Sequence, residues 1–201
     1  MTTDRMSAPA WLAEFTANAA ETFVTAYYGA SDAPQRIKLL PSLYLPNSSI
    51  SWNGNPISGS TQYAQWLDAQ PGSQHEIQSF DCHALGPFDA YDQNEAPSLL
   101  LTVSGTVAHY TPESLATPTS NAPKSATSTG TSSRRKFDAD APIETYPRVF
   151  SQSFVLINGA GTNAEGGVPF VWMPQNKGPK KSETRTVAKY FIQADCFRFV
   201  G

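Results

Sequence analysis

From Trp11 onward, apolar residues recur at every fourth position: Trp11, Phe15, Ala19, Phe23 and Tyr27. Leu12 and Val24 widen the stripe, and Glu14, Asn18, Glu21 and Thr25 lie off it. This repeat predicts an amphipathic helix with one face on an apolar surface. Pro9 suits a first helical turn and Gly29 a helix end, so the helix is expected over Ser7–Gly29. A shorter helix is expected over Ala33–Leu40, with Asp32 as its cap and Pro41 as its limit. A third, over Ser60–Gln70, places Tyr63, Trp66 and Leu67 on one side and stops at Pro71-Gly72.

Between the second and third helices the pattern is different. Ser49-Ile50-Ser51-Trp52 alternates as a strand does, Asn53-Gly54-Asn55 is a hairpin turn, and Pro56-Ile57-Ser58 returns. After Gly72 the period stays at two. Gln74–Leu85, Ser98–Tyr110, Arg148–Ile157 and Thr186–Val200 all read as strands. Long strands in succession predict one curved antiparallel meander, with the helices on one face. The class is therefore α+β, as a single domain over residues 1–201 with inserted loops at about 111–147 and 158–185.

Composition separates these loops from the rest. Sixteen of the 23 residues from Thr111 to Ser133 are Pro, Ser, Thr or Gly and none is aromatic, so this stretch is expected to be disordered. It leads into Arg134-Arg135-Lys136, and the second loop carries Lys177, Lys180, Lys181 and Arg185. Residues 1–110 hold 3 basic and 10 acidic groups, and residues 111–201 hold 11 basic and 7 acidic ones. A basic second half suits an anionic partner although the net charge is −3. Only 15% of residues are charged, which points to a surface covered by uncharged polar groups or by a partner. No run approaches the ~20 apolar residues of a membrane span, and no hydrophobic leader is apparent. A cytosolic or nuclear protein with reduced Cys82 and Cys196 is expected.

Candidate chemistry is sparse. Gly159-Ala160-Gly161-Thr162-Asn163-Ala164 fits a dinucleotide-binding spacing, but Gly166-Gly167-Val168-Pro169 follows where a helix is required, so a loop is expected. His75, Asp81 and His83 share one parity of a strand. With Tyr27 or Tyr28 they could line a cavity and support proton abstraction or dehydration. The simpler reading is a strand with polar ends. No metal-ligand spacing, nucleophile elbow or Ser/His/Asp order is present, so no catalytic residue, metal or other cofactor is expected. In a meander two strands separate Cys82 from Cys196, which forbids a disulfide. Alternation through the last strand puts Phe197 and Phe199 on one face and Arg198, Cys196 and Ile192 on the other. An arginine among Ile192, Ala194 and Cys196 indicates a covered face and a carboxylate partner.

The order of these pieces resembles the nuclear transport factor 2-like family. The resemblance rests on Ala20-Glu21-Thr22-Phe23-Val24, Tyr27-Tyr28, Leu43-Tyr44, Ile50-Ser51-Trp52-Asn53-Gly54-Asn55 and Ile57-Ser58-Gly59. It continues in Ser79-Phe80-Asp81-Cys82, Phe150–Leu156 and Asp195-Cys196-Phe197-Arg198-Phe199. Within that family the chain is most similar to the small subunit of the general mRNA export receptor, in its fungal form with long loops. The resemblance implies a cone-shaped fold, three helices on a strongly bent antiparallel sheet. It also implies a non-enzymatic subunit that pairs, sheet against sheet, with the related domain of the large subunit. The interface is then expected at Arg198, Cys196, Ile192, Gln152 and Phe154, with Arg198 facing a large-subunit aspartate. Phe-Gly nucleoporin repeats would be met through the complex, and RNA or pre-ribosomal cargo would be met by Arg134, Arg135, Lys136, Lys177, Lys180, Lys181 and Arg185. Location would alternate between nucleus, nuclear pore and cytoplasm, without membrane attachment. A homodimeric Ran carrier and a small-molecule isomerase or dehydratase are the alternatives on the same fold. Asn53, where the carrier has a glutamate, argues against the first.

Overall fold

In the computed structural model the structure describes residues 10–86, 95–110, 146–159, 165–172 and 186–200. The expected apolar stripe forms α1 (Ala10–Ser31), whose Phe15, Ala19, Phe23 and Tyr27 are buried. It is followed by α2 (Arg36–Leu39) and a 3-10 turn over Leu40–Leu43. Asp32 does not cap α2. Its carboxylate accepts from Ser73 Oγ (3.1 Å) and the His75 N–H (2.8 Å), tying the end of α1 to the sheet.

The strands are β1 (Tyr44–Trp52), β2 (Asn55–Ser58), β3 (Gly72–Leu85), β4 (Ser98–Tyr110), β5 (Arg148–Asn158), β6 (Val168–Trp172) and β7 (Thr186–Phe199), with α3 (Gly59–Asp68) between β2 and β3. The sheet runs β2-β1-β7-β5-β4-β3, and β6 also pairs with β7. The long strands form the expected meander, but two features depart from it. β1 lies parallel to β7, so the sheet is mixed. The segment expected to be a loop over 158–185 contains β6, whose Val168, Phe170 and Trp172 alternate into the core. β6 and β1 share one edge of β7: β6 takes Thr186–Tyr190 and β1 takes Ile192–Phe197.

The Asn-Gly turn behaves as its sequence dictates. Asn53 (φ 47°) and Gly54 (φ 89°) both take positive φ, as a type I′ hairpin requires. Asn53 N–H also donates to the Phe197 carbonyl (2.7 Å), so the hairpin tip is fastened to β7.

The inner face of the sheet carries Leu99, Leu101, Val103 and Val107 from β4 and Phe150, Phe154 and Leu156 from β5, together with Ile192 and Phe197 from β7. Their burial supplies ~1.5–3 kcal/mol each. Two single-residue β-bulges bend the sheet over this core, and the β1–β7 pairing also shifts register between Tyr44 and Ser49. On β3 the pairing passes from Ile77↔Gly105 to Ser79↔Ser104, leaving Gln78 extra. On β7 it passes from Val155↔Ala194 to Leu156↔Ile192, leaving Gln193 extra. Each bulge reverses which face the following residues occupy.

Gly105 sits opposite the β3 bulge, where an added Cβ would press on the Glu76 backbone carbonyl. Gly105→Ala should therefore cost roughly 1–3 kcal/mol and lower Tm by several degrees, measured by thermal unfolding. An unchanged Tm would show that the bend tolerates a side chain there.

Candidate functional site

The two bulges decide which side chains reach which surface. β7 puts Asp195 and Phe197 inward and Ala194, Cys196 and Arg198 outward. Ile192 lies before the bulge and is wholly buried, so its expected place beside Cys196 and Arg198 is corrected. Gln152 and Phe154, also expected at the interface, are 1% and 0% exposed. They share the parity of Phe150 and Leu156 on β5 and face the core. A similar correction applies to His75, Asp81 and His83: the β3 bulge turns His75 inward and leaves Asp81 and His83 outward. His75 Nδ1 lies 2.6 Å from Asp32 Oδ1, while Asp81 pairs with His83 at 2.9 Å on the surface. The supposed trio therefore never meets around one cavity.

On the outer face, strand pairing sets the exposed residues in rows. Arg198, Ser151, Ser104 and Ser79 form one row. Ser51, Cys196, Ser153, Thr102 and Asp81 form the next. Ser49, Ala194, Val155, Leu100 and His83 form the third. The middle of this face is short and uncharged, and four of its hydroxyls pair with each other, Ser79 with Ser104 (2.7 Å) and Thr102 with Ser153 (3.4 Å). Hydroxyls that already have partners lose less on desolvation. A shallow depression of about 250 Å³ lies over Ser49, Ser51, Ser153, Val155, Ala194 and Cys196. Arg198 is exposed beside it and forms no ion pair among the described residues.

Behind Cys196, on the inner face, lies a group that sequence reading passed over. Asp195 is 4% exposed. Its carboxylate accepts from Tyr44 Oη (2.6 Å) and from Gln152 Nε2 (2.9 and 3.0 Å), with Tyr27 Oη at 3.5 Å. Tyr28 Oη donates to Gln152 Oε1 (2.9 Å) and completes the network. Burial pushes the Asp195 carboxyl up to about 6, while the Tyr44, Gln152 and Tyr27 hydrogen bonds pull it down. Burial likewise raises the Tyr44 and Tyr27 phenols well above their usual value. The signal available in the sequence was an aspartate with the parity of Phe197. A cavity of about 40 Å³ adjoins this network, lined by Tyr63, His75, His109 and Gln152 among others. That volume is of water scale.

Cys82 is a poor nucleophile: burial, and then the Asp81 charge, push its thiol up to about 12. Both cysteines are free thiols. Among the described residues no His, Cys, Asp or Glu group of three is placed to hold a metal ion, and no helix is long and apolar enough to cross a membrane. Arg134, Arg135, Lys136, Lys177, Lys180, Lys181 and Arg185 lie outside the described residues, as does the disorder expected over 111–133.

Comparison with known proteins agrees with the family resemblance. Residues 15–107 match the family described as nuclear pore RNA shuttling protein Mtr2. NTF2-related export protein 1 of Bos taurus is 33% identical over 89 residues, covering 44% of this chain and 60% of that protein. The chain thus spans about 60% of the length of this curated relative. Among solved structures, a chain of the Chaetomium thermophilum Mex67 NTF2-like domain complexed with Mtr2 is 18% identical. That match covers 92% of this chain and 99% of the other, with a TM-score of 0.53. Nuclear transport factor 2 of Cryptosporidium parvum is 16% identical, covering 96% of this chain and 98% of the other, with a TM-score of 0.51. The fold is NTF2-like: α+β, three helices on a curled, unclosed sheet.

The raised Asp195 value fixes a direction for pH dependence. With the folded value near 6 and the unfolded near 3.8, the acid form is favoured by folding. This contribution to stability is complete below the unfolded value and is lost as pH rises through the folded one. In Asp195→Asn the amide NH2 would face the Gln152 donor, so the variant should be less stable throughout. The stability gap to wild type should be widest near pH 4 and should narrow by on the order of 2–3 kcal/mol toward pH 7. Denaturant titrations across that range measure it. A gap that widens with pH would mean that the carboxylate is the favoured form.

Proposed function

We propose that this NTF2-like chain is the small, non-enzymatic subunit of a heterodimeric mRNA export receptor, and that its outer sheet face docks on an NTF2-like domain of the large subunit. The observation that carries the reading is that face: a neutral, internally hydrogen-bonded hydroxyl surface with Arg198 unpaired among the described residues at its border. The Mtr2 family match and the likeness to a solved Mex67–Mtr2 complex support it.

A stable pairing of this kind buries roughly 1,000 Å² or more, with an apolar centre. Ala194, Val155 and Leu100 supply such a centre here. Arg198 then meets a partner carboxylate at the border, where charge fixes the register of the two faces. The complex stabilises the large subunit and carries RNA–protein cargo between nucleus and cytoplasm, with Phe-Gly repeats of the pore met by the pair. The basic residues of the two long loops add phosphate contacts, which are insensitive to base sequence and weaken with salt.

Arg198→Glu should weaken association with the large-subunit domain by about 2 kcal/mol or more, since it sets like charges together. Its effect on the Tm of the isolated subunit should be small, because Arg198 is exposed. Co-purification and calorimetry measure both, and undiminished binding would sink the docking reading. Replacing Arg134, Arg135 and Lys136 by serine should leave the heterodimer intact, lower its RNA affinity and flatten the salt dependence of RNA binding. Filter binding across a salt series reads this, and an unchanged slope would make the loop a linker.

A further inference from the structure

Asp81 stands on the docking face at its far border from Arg198, and no role in the proposed pairing has been given to it. We propose that Asp81 is a second charged anchor of this face, receiving a lysine or arginine of the partner domain. The proposal rests on the docking reading above.

Asp81 lies in the row of Cys196, Ser153 and Thr102, three strand spacings from β7, or about 14 Å. The side chains between the two charges, Ser151, Ser153, Thr102 and Ser104, are short hydroxyls. None can neutralise either charge, and among the described residues Asp81 has only His83 as an ion-pair partner. Although 76% exposed, the carboxylate is held in place. Cys82 N–H donates to Oδ1 (3.0 Å) and His83 Nε2 lies 2.9 Å from Oδ2. A pre-oriented acid at the rim of a neutral face loses little side-chain freedom when a cation arrives.

The two charges together give the face a direction. Docked one way, Arg198 meets an acid and Asp81 a base. With the partner turned end for end, each charge meets its like, which is unfavourable. A hydroxyl surface alone has no such polarity, because one serine row is much like the next. Asp81 is thus an orientation-determining residue as well as an attractive one.

A local role competes with this one. Asp81 Oδ1 occupies the Cys82 amide of an edge strand, and such capping protects exposed edges. Asparagine would keep the oxygen acceptor and remove the charge, so Asp81→Asn separates the two roles. The experiment uses the heterodimer with the large-subunit NTF2-like domain and measures association rate and affinity at low and high salt. Wild type, Asp81→Asn, Asp81→Lys and Arg198→Glu are compared.

The expected result is a severalfold slower association for Asp81→Asn, with a flatter salt dependence, as for a rim charge. Asp81→Lys should be slower still, and both variants should keep the wild-type Tm as isolated subunits. If Asp81→Asn matches wild type at both salts while Arg198→Glu loses binding, the anchor is wrong and the docking reading stands. If wild type itself forms no complex with that domain, both fall. If wild type instead forms a self-dimer that Asp81→Lys and Arg198→Glu each break and their combination restores, the occupant is a second copy and the proposal is overturned.

Discussion

A carboxyl group buried with no countercharge among the described residues holds the centre of this molecule. Asp195 is surrounded by Tyr44 from β1, Gln152 from β5 and Tyr27 from α1. An ionised carboxylate taken out of water is unstable unless donors surround it, so each of these elements must be in place at once. The same requirement fixes the facing of β7. With Asp195 turned inward, alternation turns Cys196 and Arg198 outward. The inner network and the outward row of Cys196 and Arg198 are therefore two consequences of one strand orientation.

Much of the architecture was legible because it is periodic. The α1 stripe, the four long strands and the Asn53-Gly54 hairpin are each written as a repeat or a turn type that only certain residues satisfy. The α+β class and the order of the meander follow from these. What the sequence did not disclose is where the period slips. A bulge adds one residue to one strand and needs no particular side chain, so Gln78 and Gln193 look like ordinary strand positions. Extrapolating alternation across them misplaced Ile192 and joined His75 to Asp81 and His83.

The other misses have different causes. Gln152 and Phe154 alternate with Ser151 and Ser153 in a stretch, 149–157, whose two faces are both uncharged, so polarity alone does not say which side is buried. Gln152 is inside because Asp195 and Tyr28 need it, a requirement created by residues distant in sequence. The Val168–Trp172 strand is flanked by glycines and lysines, and its apolar alternation has meaning only beside β7. The outward facing expected of Cys196 and Arg198 agrees with the strand, since both follow the bulge and alternate with Phe197 and Phe199.

The position of β7 also governs the order in which the chain can assemble. It is the last of the described strands in sequence, yet it lies between β1 and β5 and supplies the edge for β6. Tyr44 and Asp195, which meet through it, are 151 residues apart. During synthesis β1 and β2 emerge early and find no place in the sheet until β7 has left the ribosome. β3, β4 and β5 can form their meander beforehand, but its β5 edge and inner apolar face stay open. Contacts this remote close slowly, and an open strand edge invites pairing with other chains in the interval. A newly made chain therefore passes through a stage in which its central edge is bare. The same strand that closes this edge also brings Arg198 to the surface, so the outer face becomes complete only when the sheet does.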